Sequence, residues 1–238
     1  MLKFIITLLL LGISPHSPAA TTPKVAIDIG HSKLHSGATS ARGKAEFDFN
    51  LALAQVVQHE FSSQHIPAVL IGADGGMTEL RARTASVAAS GADFFLSLHH
   101  DSAQQKYFKN WQWQGAKHQY SDNFSGFSLF VSRKNPQAAK SLLCAQAIGK
   151  ALQQKGFKPS AHHAEPVKGE NREWADKKAG VYYYDDLIVL KSATIPAVLL
   201  EAGVIVNRQD ELNLQTPATQ HQIAKAIEQG LQHCKVLE

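Results

Sequence analysis

Cysteine and methionine each occur only twice in these 238 residues, and charged residues make up just 18%. Two cysteines, Cys144 and Cys234, exclude a disulfide-rich scaffold. Neither has a second cysteine nearby, which also excludes a cysteine-pair metal knuckle. Each lies on the apolar stripe of an expected helix, Cys144 with Ile148 and Leu152, Cys234 with Ile227 and Leu231. A single bridge and two separately buried thiols therefore stand as equal alternatives. Dense runs of lysine or arginine are missing although the formal net charge is +4. Phosphate binding uses a basic patch or stripe, so nucleic acid is excluded as the partner. Weak attraction to an anionic wall polymer or membrane surface is compatible with the charge. No apolar run approaches the roughly twenty residues that cross a bilayer as a helix. Internal repeats and an interdomain linker are also lacking.

What is present begins with Met1-Leu2-Lys3, an apolar stretch from Phe4 to Ile13, and small residues up to Ala20. A charged start, an apolar core of about ten residues and a small-residue end describe a secretory signal peptide. Cleavage is expected after Ala19 or Ala20, leaving residues 21–238 as one domain, exported to the periplasm or secreted. No cysteine sits at that boundary to take a lipid. Loss of Lys3 lowers the net charge from +4 to +3.

Beyond it, strands and helices alternate. Lys24 to Ile29, Pro67 to Ile71, Asp93 to Leu98, Phe127 to Val131 and Ile195 to Glu201 read as strands, with a short one at Leu187 to Leu190. Between 46 and 64, Phe47, Leu51, Ala54, Val57 and Phe61 recur at helical spacing. Thr78 to Ser90 reads as a second helix with Thr78 as cap. Asn135-Pro136 and Thr216-Pro217 each launch another in the cap-then-proline manner, ending near Gly156 and Cys234. This order predicts a single α/β domain with a mostly parallel twisted sheet and helices on both faces. Ser102 to Asn123, rich in aromatics, reads as a long loop, and His162 to Tyr184 as a second irregular stretch.

In such sheets, sites form outside the carboxyl ends of strands. His31, His99 and Glu201 all fall at or just past a strand end. Gly30 before His31 allows close approach of the backbone. His99 is followed by His100, and neighbours on a strand face opposite ways, so one of the pair is available to a metal. Most of the 12 histidines are bystanders; His59, His65, His118, His221 and His233 sit in polar surroundings. Glu46 by itself is a helix-start carboxylate favoured by the dipole. Glu201 follows Ala197-Val198-Leu199-Leu200. A carboxylate at the end of such a run needs a metal, a reaction or a salt bridge, the last from Arg83 or Arg208.

Together I27DIGHS32, Glu46 within G43KAEFDFNLALA54, S97LHHD101 and P196AVLLEAGVIVN207 resemble the zinc-dependent N-acetylmuramoyl-L-alanine amidases of the amidase-3 family. Arg83 matches an arginine which that family carries on its second helix. The resemblance runs from Val25 to the last helix. It implies Zn²⁺ held by His31, Glu46 and His99, with Glu201 as catalytic carboxylate. The implied substrate is peptidoglycan, cut between the lactyl group of N-acetylmuramic acid and L-alanine of the stem peptide. Asp28 or Asp101 is expected to support the ligating histidines. Ile29, Ser32, Phe47 and His100 depart from the family pattern without removing a ligand. His100 leaves the choice of histidine open. Some relatives insert an autoinhibitory helix before the late glutamate; here Arg172 to Lys178 is the one short segment with helical character. The aromatic loop at Tyr107 to Tyr120 either lines a substrate groove or packs as a small satellite cluster. Two alternatives compete with the amidase: a zinc peptidase cutting within the stem peptide, and a non-catalytic wall-binding module. No activating partner protein can be read from the residues.

Overall fold

The computed structural model describes residues 24–237; the expected signal peptide, residues 1–20, lies outside the described residues. The elements in chain order are β1 (Val25–Ile29), α1 (Glu46–Ser63), β2 (Ala68–Ile71), α2 (Leu80–Ser90), β3 (Phe94–Asp101), β4 (Lys109–Trp113), β5 (Ala116–Tyr120), β6 (Ser128–Val131), α3 (Ala138–Gln154), β7 (Trp174–Asp176), β8 (Val181–Tyr183), α4 (Ile188–Lys191), β9 (Ala197–Val204), α5 (Arg208–Leu214) and α6 (Pro217–His233). Seven strands form one sheet in the order β2-β1-β3-β9-β6-β8-β7. β1, β2, β3 and β9 run parallel, as do β6 and β8, whereas β6 meets β9 and β7 meets β8 antiparallel. The sheet is therefore mixed, with its parallel half carrying the strand ends of interest.

The period of two along each strand sorts side chains between two apolar layers. Val25, Ile27 and Ile29 of β1, with Phe94, Leu96 and Leu98 of β3, pack in the larger cluster with α1, α3 and α6. Ala26, Phe95, Ala197 and Leu199 face the other way, into a smaller cluster with Val87 of α2 and Val189 and Leu190 of α4. Parallel strands covered on both faces are buried throughout, and β1 is. Cys144 of α3 and Cys234, the residue capping α6, are joined in a disulfide with Cα atoms 5.0 Å apart.

Four expectations change. Leu187 to Leu190 is not a strand: Ile188–Lys191 is one helical turn, because four consecutive apolar residues carry no period to distinguish the two. Ser102 to Asn123 contains the separate hairpin β4–β5. Gln114 and Gly115 both take positive φ, 48° and 81°, the two-residue turn whose twist suits a hairpin. Residues 172–178 hold strand β7 and a turn instead of a helix. The second helix starts at Leu80 with Glu79 at the cap position, one residue later than a Thr78 cap would set it.

Candidate active site

β1 ends at Ile29, and the chain turns through Gly30 into His31, whose φ of 69° is left-handed. A side-chain-bearing residue held there is strained and requires outside support. Arg83 of α2 supplies it. Its guanidinium pairs with Asp28 Oδ1 at 2.7 Å and donates to the carbonyls of Ile29 (2.6 Å) and Met77 (2.8 Å), and also to that of His31. Asp28 Oδ2 accepts from Ser97 Oγ on the neighbouring strand at 2.7 Å. The pair is buried and fully bonded, the condition under which a buried ion pair is tolerated.

Glu46 enters at the first turn of α1. Its backbone N–H donates to Ala38 O, and its Oε2 accepts from Ala38 N, both at 2.9 Å, so the carboxylate and the loop before it clamp each other. The other oxygen, Oε1, lies 3.0 Å from His31 Nε2 and 3.0 Å from His99 Nδ1. Burial disfavours the charge on Glu46, but its bonds to His31 and His99 outweigh that and hold the carboxyl well below the usual range. Two glycines make room. A Cβ on Gly30 would run into the His99 ring, and one on Gly37 into Glu46 Oε2 and the His31 ring.

Alternation on β3 sends His99 and His100 to opposite faces of the sheet. His99 points to the cavity side, beside His31. His100 turns into the α1 side, where its ring meets Phe49 and its Nδ1 bonds Asn50 Oδ1 at 2.8 Å. Burial lowers the His100 pKa to about 3, so it is neutral, and Nδ1–H is the donor to the amide oxygen. Asn50 Nδ2 in turn donates to Gly30 O at 3.1 Å and Glu46 Oε1 at 3.3 Å. Asn50 was invisible as a site residue in the sequence, since one asparagine on a helix has many uses. Its position one turn after Glu46 was the available signal.

Glu201 on β9 is in register with His99 across the β3–β9 pair. Neither suggested arginine reaches it: Arg83 holds Asp28, and Arg208 holds Asp122. Its Oε2 is shielded from solvent and has no hydrogen-bond partner among the described residues. Burial pushes its pKa well above the ordinary value, with the negative charges of Asp101, Glu46 and Glu170 adding to the effect. His31, His99 and Glu201 line one cavity of 560 Å³, with Met77, Tyr184 and Arg172 among its other walls. The aromatic hairpin is not part of that wall. Trp111 and Trp113 stack with ring centroids 5.5 Å apart, and Arg42 lies against both.

Asp28 and Asp101 do not support the candidate ligands as expected. Asp28 anchors Arg83, and Asp101 Oδ2 binds His162 Nε2 at 3.1 Å and His163 Nε2 at 2.7 Å. These two histidines were not singled out by sequence reasoning, because they fall in a stretch without strand or helix pattern.

The nitrogen, oxygen and nitrogen atoms offered by His31, Glu46 and His99 all lie within 4.8 Å of one another. Two imidazoles and a carboxylate suit a zinc-class divalent ion with an open position. An unpartnered carboxylate on the same cavity is what such a site needs beside it.

The family described as N-acetylmuramoyl-L-alanine amidase, amidase-3, matches residues 25–233. The chain belongs to that family. It is thereby an amide hydrolase of peptidoglycan, an N-acetylmuramoyl-L-alanine amidase. Among individual relatives, it is 26% identical over 223 residues to the N-acetylmuramoyl-L-alanine amidase AmiA of Escherichia coli, covering 87% of this chain and 74% of AmiA. The catalytic domain of CwlV from Paenibacillus polymyxa shares the fold with a TM-score of 0.66 at 24% identity, over 91% of this chain and 99% of that one. Ami1 of Mycobacterium smegmatis does so with a TM-score of 0.69 at 18% identity, over 89% and 96%. Among the described residues no helix is long and apolar enough to cross a membrane.

Proposed function

We propose that this amidase is zinc-dependent and exported, that His31, Glu46 and His99 hold the ion, and that Glu201 is its general base. The scissile amide joins the lactyl group of N-acetylmuramic acid to L-alanine of the stem peptide. The observation that carries the reading is the convergence of two ring nitrogens on one Glu46 oxygen at 3.0 Å, with the unpartnered Glu201 Oε2 beside them. Export is supported by the substrate, which lies outside the cytoplasm, and by the character of residues 1–20.

Zinc, when bound, polarises the amide carbonyl and lowers the pKa of water toward about 7. The chain supplies the rest. Ala38 N and Asn50 Nδ2 keep Glu46 facing both histidines. Arg83 fixes the backbone around His31. Glu201 takes the proton of the attacking water on its unpartnered oxygen and returns it to the leaving L-alanine amine. Burial raises its pKa above the ordinary carboxylate value, which favours holding the proton until it passes to the leaving amine.

Digestion of purified peptidoglycan followed by identification of the new ends tests the reading. New lactyl carboxyls and L-alanine amines are expected. New termini between stem residues would instead mean a stem-peptide peptidase. Glu201→Gln is expected to keep zinc and lose about 10²–10⁴-fold of the hydrolysis rate. A variant as active as the parent would assign the base elsewhere. Binding of the wall without any hydrolysis by the parent would reduce the protein to a binding module.

A further inference from the structure

We propose that Asp101, His162 and His163 form a second divalent-metal site, separate from the His31, Glu46 and His99 set. Asp101 lies at the end of β3, two residues beyond His99 and past a shift in register. His162 and His163 lie on a single 3-10 turn, residues 162–164. Both present Nε2 to the same oxygen, Asp101 Oδ2, at 3.1 and 2.7 Å. The three donor atoms lie within 4.8 Å of one another. Both histidines are buried, and their ring centroids are only 3.9 Å apart.

The convergence of two ring nitrogens on one carboxylate oxygen is what a cation needs. His163 Nδ1 lies 2.8 Å from Glu170 Oε2. An ionised carboxylate only accepts, so Nδ1 carries the proton there. In the neutral ring, Nε2 then turns a lone pair toward Asp101, which also only accepts. In metal-free protein a second proton on His163 meets this need; a bound divalent ion replaces that proton. His162 can stay neutral in either state, because Ser160 Oγ can donate to or accept from its Nδ1. One divalent ion answers both lone pairs and the carboxylate at once. The outer contacts complete the pattern, since ligating histidines usually engage an oxygen through their other nitrogen. Glu170 does this for His163, and Ser160 Oγ, 2.8 Å from Nδ1, does it for His162. Two imidazoles and a carboxylate select a borderline ion such as zinc over magnesium or calcium.

The site would tie the segment from Ser160 to Arg172 to the central sheet. Arg172 N donates to His163 O at 2.7 Å, and His163, Glu170 and Arg172 line the cavity that holds Glu201. The bound ion would therefore fix one wall of the substrate cavity without taking part in the reaction.

Untagged protein equilibrated with zinc and then analysed for metal per chain tests the proposal. The parent should hold two ions, Glu46→Ala one and His163→Gln one. Hydrogen exchange on the parent should show residues 160–172 becoming protected only as the second equivalent binds, a readout that requires no variant to fold. A parent that stops at one ion together with a Glu46→Ala variant that holds none would overturn the second site and leave the first standing. One ion in both would do the reverse. Two ions retained in a folded His163→Gln variant would place the second ion elsewhere and also overturn the proposal.

Discussion

Arg83 shows how much a single side chain organises here. It is buried, pairs with Asp28, and caps three carbonyls of the turn that carries His31 and of the segment before α2. Removing one partner of a buried pair leaves the other charge unmatched, at a cost of about 3–5 kcal/mol. Arg83→Ala is accordingly expected to lower stability by that order in a denaturant titration and to weaken zinc binding through His31. A variant with parental stability and zinc affinity would show that the turn holds its left-handed residue unaided. At this scale His31, Glu46, His99 and Glu201 were legible in the sequence because each closes or opens a patterned element. His162 and His163 were not, because nothing local distinguishes them from solvated residues, and Asn50 offered only its place one turn after Glu46. Their partners arrive from 50 to 62 positions away.

Among elements, the sheet brings the site together and the helices hold it closed. β1, β3 and β9 are adjacent and parallel, so His31 just past β1 meets His99 and Glu201, which pair inside β3 and β9 a few residues before those strands end. The apolar pattern revealed these strands because each is a continuous buried run closed by a glycine or polar residue. It failed at Ile188–Lys191 and at the β4–β5 hairpin, where runs are short or polar. The disulfide between α3 and the end of α6 ties together two helices of the same layer. In the chain-entropy view, closing a loop of this length restrains the unfolded state by about 4 kcal/mol, and measured effects are commonly about 2–4. Cys144→Ala should thus lose roughly that much stability and keep hydrolysis at room temperature, since the bridge is remote from the cavity. An unchanged thermal midpoint would show that the bridge contributes nothing beyond packing.

Over the whole molecule, pH enters through the cluster at the cavity wall. Burial opposes the charge on His163, but Asp101 and Glu170 outweigh it and raise its pKa to about 9. His162 and Tyr182 are the other polar groups packed against it. A histidine with a raised folded pKa contributes stability in full below its unfolded value of 6.5 and loses it as pH climbs through about 9. In chelated, metal-free protein, stability should therefore fall by up to about 3 kcal/mol across that window. The parent and His163→Gln, compared by denaturant midpoints against pH, check this. Equal slopes would mean that His163 does not carry the proton.

The sequence by itself determined the α/β class, the apolar strands, the order of the four motifs and the family they belong to. The class and strands are written in local apolar patterns and the family in the resemblance of the motif residues, all of which the chain carries before it folds. Only the tertiary structure decided which of His99 and His100 faces the cavity, that neither Arg83 nor Arg208 neutralises Glu201, that Cys144 meets Cys234, and that a second histidine pair gathers on Asp101. Each depends on which distant segments become neighbours, and strand order, register and the packing of helices across the sheet settle that.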